Sequence, residues 1–153
     1  FLTTYAWAFL VILIMVGALA YFGILSPSKL LPDRCNFGSE ISCQDYKLDK
    51  TNGQIILKLT NNVGETITIT SIVTTSEGAI SLNCFYTGGP KSISQGGSWD
   101  FALTTSCAYG FWTNAGFDVG QKGKVQETVT YQTASGGSLY PHQVQGEIFA
   151  TVQ

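Results

Sequence analysis

From Phe1 to Ser28 the chain carries no charged side chain; Lys29 is the first. Within that stretch, Ala6 to Leu25 is an unbroken run of apolar, aromatic and glycine residues. At about 1.5 Å per residue, a helix of about 20 residues spans about 30 Å, the thickness of a hydrocarbon core. No side of such a helix is polar, which excludes an amphipathic helix lying on a surface. The segment has to sit in lipid or be surrounded by protein.

Three ordinary readings fit poorly. A cleavable secretory signal opens with a basic region and closes at a small-residue cleavage site, and neither is present. A simple single-span anchor carries Lys or Arg on its cytoplasmic side, and nothing charged precedes this run. A core helix of a globular domain is rarely apolar on every side at this length. A chain opening on Phe1 rather than Met is expected to be a processed one that keeps its hydrophobic segment. Small residues, Ala6, Ala8, Gly17, Ala18, Ala20 and Gly23, are spread among the bulky ones. Helices in lipid associate by close packing at such residues, although Gly and Ala are common in membrane spans anyway. Tyr5 and Trp7 near one end, with Tyr21 and Phe22 near the other, suit membrane interfaces before assembly. Pro27 is expected to end or kink the helix near Ser26, and Pro32 to stop any further turn. This gives a hydrophobic helix over 1–31, a neck over 32–42 and a head domain over 43–153.

Beyond Cys43 the apolar pattern alternates. Thr66–Ile72 (TITITSI) is rich in β-branched residues at period two. Tyr46–Leu48, Gln54–Thr60, Ala79–Tyr86, Trp99–Thr105, Lys124–Thr133 and Gln145–Val152 behave similarly, making about seven short strands. Turn signals separate them: Asn52-Gly53, Asn61-Asn62-Val63-Gly64, Glu77-Gly78, Gly88-Gly89-Pro90, Gly96-Gly97 and Ser135-Gly136-Gly137. The expectation is an α+β chain, a long hydrophobic helix followed by an immunoglobulin-like sandwich.

The four cysteines are Cys35, Cys43, Cys84 and Cys107. An even count beside a membrane-length segment points to disulfides formed outside the cytoplasm. Proximity favours Cys35–Cys43 closing the loop after the helix and Cys84–Cys107 linking two strands, although spacing alone leaves all connectivities open. A zinc site of four thiolates is the competing reading, weakened by the absence of a C-x2-C pair.

Little in the chain suggests chemistry. Charged residues make up 12%, the net charge is −2, and no basic patch marks a nucleic-acid surface. The lone histidine, His142, follows Pro141 in a turn or strand start and suits a surface role. Asp45 and Asp49 share an edge but lack the setting of an acid–base pair. Asn114–Gly120 (NAGFDVG) has the flavour of a calcium loop without its ligand count or final Glu, so an ordinary turn is the better reading. No nucleophile elbow, metalloprotease, phosphate-loop or dinucleotide motif occurs. Tyr109-Gly110-Phe111-Trp112, with Trp99 and Phe101, is the densest aromatic group. It suits a core or subunit contact better than a sugar platform. N-x-[ST] sequons are absent, while the many Ser and Thr offer hydroxyls for O-linked glycans or simply reflect β-propensity. We expect no enzyme and no cofactor.

The opening FLTTYAWAFLVILIMVGALAYFGILSPSKLLPDRC, Phe1–Cys35, resembles the helix and neck of archaeal type IV pilin-like proteins, of the archaeal pilin and flagellin superfamily. The closing KVQETVTYQTASGGS with HQVQGEI resembles the last hairpin of their sandwich domains. The resemblance implies a prepilin cut by a dedicated peptidase and extracted from the cytoplasmic membrane by an ATPase and a platform protein. It implies helices bundled in the core of a cell-surface filament, packed through Tyr5, Ala6, Trp7, Ala8, Gly17, Ala18, Ala20 and Gly23, with sandwiches outside. Tyr5 stands where bacterial type IV pilins carry Glu, which argues against assembly through a carboxylate–amine pair. The expected function is therefore a pilin forming a helical homopolymer, for adhesion. A single-span anchored ectodomain serving as a receptor is the alternative.

Overall fold

The computed structural model describes residues 1–23, 31–76, 83–104, 111–112 and 116–153. The chain divides into two compact units, Phe1–Leu31 and Pro32–Gln153. In the first, α1 spans Leu2–Tyr21. Its sequence contains no proline and no charge to interrupt it. Gly23 terminates it: with φ at +70°, it takes the left-handed conformation common one step past a helix end. The amides of Phe22 and Gly23 donate back to Ala18 O and Ala20 O at 3.0 and 3.1 Å. α1 thus ends ahead of the expected exit at Pro27, because a glycine in this conformation supplies the stop. Pro27 itself lies outside the described residues.

The second unit holds nine strands among the described residues: β1 (Arg34–Asn36), β2 (Ile41–Asp49), β3 (Gln54–Asn61), β4 (Ile67–Ser76), β5 (Asn83–Phe85), β6 (Lys91–Ile93), β7 (Ser98–Leu103), β8 (Lys122–Thr133) and β9 (His142–Thr151). They form two antiparallel sheets. The larger has the order β1-β9-β8-β4-β5, with β6 also on β4; the smaller is β2-β3-β7. β4–β5 and β6–β4 use successive stretches of the same strand, Val73–Thr75 and Ile67–Ile69. Three strands, β2-β3-β7, face β9-β8-β4 in the order and connectivity of an immunoglobulin-like sandwich, whose sheets hold its first, second and fifth strands and its third, sixth and seventh. β1 and the division of one edge strand into β5 and β6 account for the two strands beyond the expected seven.

Pro32–Ser42 is therefore not a neck. It contributes β1, paired in register with Glu147–Phe149 of β9, and the start of β2. The apolar residues here, Cys35, Phe37 and Ile41, pack on the core, which draws the segment into the sheets. Alternation then fills the interior. Ile55, Leu57 and Leu59 of β3, Phe101 and Leu103 of β7, and Val125, Val129 and Tyr131 of β8 are all buried. Near the chain's end the two sheets meet: Gln153 N–H donates to Leu48 O at 2.8 Å and Lys50 N–H donates to Gln153 O at 2.8 Å.

Cys35 and Cys43 are disulfide-bonded, with Cα atoms 6.0 Å apart, which removes the four-thiolate zinc reading. The bond joins β1 of the larger sheet to β2 of the smaller. Cys84 is buried and also disulfide-bonded. The expected Cys84–Cys107 link involves Cys107, which lies outside the described residues.

The Pro32–Gln153 unit, expressed alone in an oxidising compartment, is expected to unfold cooperatively in urea. Replacing Cys35 and Cys43 together by serine opens a short loop and should lower its stability by about 2–3 kcal/mol. The change in urea midpoint at constant slope measures it; an unchanged midpoint removes the stapling role.

Candidate functional site

α1 carries no charged side chain and is apolar from Ala6 onward, and none of its residues is buried. It is the one described helix long and apolar enough to cross a membrane. At roughly 100° per residue, Ala6, Gly17 and Ala20 fall on one side of the helix, while Ala8 and Ala18 fall nearly opposite. Tyr5 and Trp7 are about two-thirds exposed or more, at 72% and 69%. The small residues therefore do not make one seam; they thin the helix on two sides. A Cβ at Gly17 meets nothing within 4 Å, so that glycine is not required by α1 itself. Gly23 differs from the other expected packing residues, since it lies beyond α1 and acts as its terminator. Pro32, expected as a helix exit, stands two residues before β1 in the sheet unit.

In the sandwich, the aromatic group is mostly core. Phe101, Phe111 and Trp112 are buried, with Phe111 and Trp112 edge to face at 5.3 Å. Trp99 is 45% exposed, and its ring is covered by the Lys91 ammonium 3.3 Å from the centroid. Tyr109 and Gly110 lie outside the described residues. His142 is exposed and stacks on Tyr131 at 5.4 Å. Burial, then the hydrogen bond that the Tyr131 hydroxyl donates to Glu40, pushes that phenol up to about 12.

Asp45 and Asp49 have separate tasks. Asp45 accepts from the Tyr46 amide at 2.9 Å. Asp49 is buried and accepts from Lys47 Nζ at 2.8 Å and from the Asn52 amide and side chain at 3.0 and 2.8 Å. These bonds close the β2–β3 turn, where Gly53 takes a φ of +64°. The Lys47 hydrogen bond, then those of Asn52, hold the Asp49 carboxyl well below the usual carboxylate range. Asn114 of the calcium-like loop is outside the described residues; its Asp118 is paired with Lys50 at 3.0 Å. Among the described residues no group of three or more His, Cys, Asp or Glu could hold a metal ion.

One buried acid was missed. Glu127 lies at an inward position of β8, between Val125 and Val129, and is fully buried. Its register partner, Thr74 of β4, places Oγ1 at 2.6 Å from both carboxyl oxygens. A single hydroxyl cannot donate to both. A protonated carboxyl satisfies the pair by donating to Oγ1 from one oxygen and accepting at the other. Burial, against the opposing pull of the Thr74 hydrogen bond, holds this acid up at about 8. The signal was present: in KVQETVTYQT, Glu127 shares the parity of Val125, Val129 and Tyr131.

No protein-family model and no curated protein matches the chain. Among solved structures, a solution structure described as a late embryogenesis abundant (LEA) protein is similar at 16% identity and a TM-score of 0.39, covering 92% of this chain and 84% of that one. A crystal structure of a protein from Archaeoglobus fulgidus is similar at 12% identity and a TM-score of 0.32, covering 80% of this chain and 98% of that one. Likenesses this weak say nothing about activity or partners.

The two buried acids act oppositely with pH. Glu127 is raised from 4.5 to about 8, so its contribution is full below the lower value and is lost as pH rises through the upper. Asp49 is lowered from 3.8, so its contribution is present above that value and is lost on acidification. Glu127→Gln keeps a hydrogen-bonding partner for Thr74 and cannot ionise. Denaturant titrations at about pH 5 and about pH 8.5 should show wild type losing on the order of a few kcal/mol more than the variant over that interval. Parallel profiles would remove Glu127 as the titrating group.

Proposed function

We propose that the chain is the structural subunit of an extracellular, pilus-like helical filament, with adhesion as its role. The observation that carries the reading is α1: twenty residues, uncharged, apolar on every side from Ala6 onward, and none buried. Burying one large apolar side chain is worth about 1.5–3 kcal/mol, so leaving the helix in water costs on the order of tens of kcal/mol. The core of the second unit is assembled from its own residues, among those described, and does not call on α1 to complete it. The helix is thus available to bury itself among copies of itself after residence in the cytoplasmic membrane. Small residues on two of its sides suit contact with more than one neighbour.

The sandwich suits the same role. Its surface charges are few and largely paired, as in Arg34–Glu147, Lys50–Asp118 and Lys122–Asp33. Identical surfaces brought together many times repel less when their charges are compensated in place. The resemblance of Phe1–Cys35 to archaeal pilin-like proteins supports the reading and brings the partners it implies: a prepilin peptidase, an assembly ATPase and a platform protein. The reading involves no catalysis and no cofactor.

Sheared cell-surface material viewed by electron microscopy is expected to contain filaments of uniform diameter that hold this chain. Dispersed single molecules, or protein retained wholly in the membrane, would point instead to a single-span anchored ectodomain. Gly17→Leu should lower filament yield about tenfold, a loss of about 1.4 kcal/mol at one contact, with the membrane-inserted pool unchanged. Equal loss from both pools would mean that the residue serves insertion rather than packing.

A further inference from the structure

Glu127 sits on the inward face of the larger sheet, and its two cross-strand neighbours are unequal. On the β4 side, Thr74 is bonded to it at 2.6 Å. On the β9 side its register partner is Gly146, which has no side chain. The Phe37 ring fills that place, with Cδ1 2.5 Å from where a Cβ at residue 146 would stand. Paired residues of adjacent strands lie about 4.5–5.5 Å apart at Cβ, so the ring covers that flank of the acid. A cavity of about 480 Å³ abuts the same place, with Phe37, Gly146 and Glu127 in its lining.

The surroundings of Glu127 are not equally fixed. β4, β8 and β9 are joined in register along most of their lengths. Phe37 belongs instead to a strap, residues 37–40, between β1 and β2. Its near end is fixed by β1 and the Cys35–Cys43 bond. Its far end is held by Glu40, whose carbonyl accepts from Asn62 N–H at 2.9 Å and whose carboxylate accepts from the Tyr131 hydroxyl. Between them, Phe37, Gly38 and Ser39 make no hydrogen bond among the described residues. Phe37 is half-buried, and Gly38 and Ser39 are exposed. The ring can therefore leave Gly146 without breaking a ladder bond.

An ionised carboxyl in this place has no cation to meet. Around it stand Val125 and Val129 of β8 and Ile148 of β9, all buried, with Leu57, Leu59 and Phe101 inward on the facing sheet. The titratable groups on this side are the phenols Tyr46, Tyr86 and Tyr131, Glu40 on the Tyr131 hydroxyl, and His142 stacked on the Tyr131 ring. The cations Arg34 and Lys124 pair with Glu147 on the outer face, and Lys122 pairs with Asp33 near the start of β1. Burial raises the Glu127 carboxyl and the Thr74 hydrogen bond opposes it, with no charged neighbour contributing. One hydroxyl satisfies only one of a carboxylate's several acceptor sites, so the charge requires water.

We propose that Phe37 and its strap are a lid over Glu127, closed while the acid keeps its proton and opened by loss of that proton, which admits water from the cavity to the carboxylate. Closure holds the carboxyl above its ordinary value, so closure is complete at low pH and is lost as pH rises. The device lies within Pro32–Gln153 and does not depend on the filament reading.

The test uses the full chain in detergent, with 4-fluorophenylalanine at position 37 in one sample and at position 101 in another. Fluorine NMR with a water-soluble paramagnetic agent reads the access of solvent to each ring. The open-to-closed ratio at position 37 is expected to rise about tenfold per pH unit between about pH 6 and about pH 8. Glu127→Gln should hold that ratio at its acidic level throughout, and Phe101, buried between the sheets, should stay inaccessible in both proteins. The lid is overturned if position 37 is equally accessible at about pH 6 and about pH 9, or if Glu127→Gln follows the wild-type curve. It is overturned equally if positions 37 and 101 respond together, which is global opening. Should the glutamine variant not fold, the two wild-type profiles still decide between a lid, a fixed ring and global opening.

Discussion

Water cannot solvate a helix that is apolar on every side, and that constraint governs the division of this chain. An ordinary domain uses its helices to cover its sheets, so that each element buries its apolar stripe against another. Here α1 has no polar stripe beyond Ala6, and among the described residues the sandwich assembles its core from its own side chains. The two units meet the same physical demand by different means. The sheets bury Ile, Leu, Val and aromatic side chains against each other, while the helix depends on lipid or on other protein.

How much of this was legible follows from the physics of each signal. The helix was plain, because twenty apolar residues in succession allow few alternatives. Its end was not read correctly, because Pro27 was weighed above Gly23, whereas a glycine one step past the last turn stops a helix without any steric clash. The long strands announced themselves by period two, as in QIILKLT and KVQETVTYQT. β1 and β6 did not, because three residues hold too little alternation to stand out from a loop. β1 is specified by tertiary contacts instead: its pairing with β9, the Cys35–Cys43 bond and Phe37 behind it.

Phe37 also explains a glycine that periodicity alone would not. Gly146 falls on an inward position of β9, where a Cβ would lie 2.5 Å from the Phe37 ring and 2.7 Å from the Asn36 carbonyl. The ring takes the space that a side chain at residue 146 would fill. A segment read as a neck is thereby tied into the sandwich by a disulfide, a strand pairing and a ring over a glycine. Glu127, one position along the same row, breaks the apolar pattern of β8 and is tolerated because Thr74 sits opposite it. Reading that acid as an outward residue would require a register slip, which would also expose Val125, Val129 and Tyr131.

The outer face of the larger sheet reflects the same economy of charge as the rest of the molecule. Low charge is commonly read as a means of self-association, since repeated surfaces with a net charge repel one another. Yet a polar face without net charge does not become inert; its amides and hydroxyls still require hydrogen bonds. Where it is flat, water supplies them. Glu147 is compensated in place, by Arg34 at 3.0 Å and Lys124 at 3.5 Å. One compositional choice, few charges with several of them paired nearby, suits a surface proposed to meet its own copies.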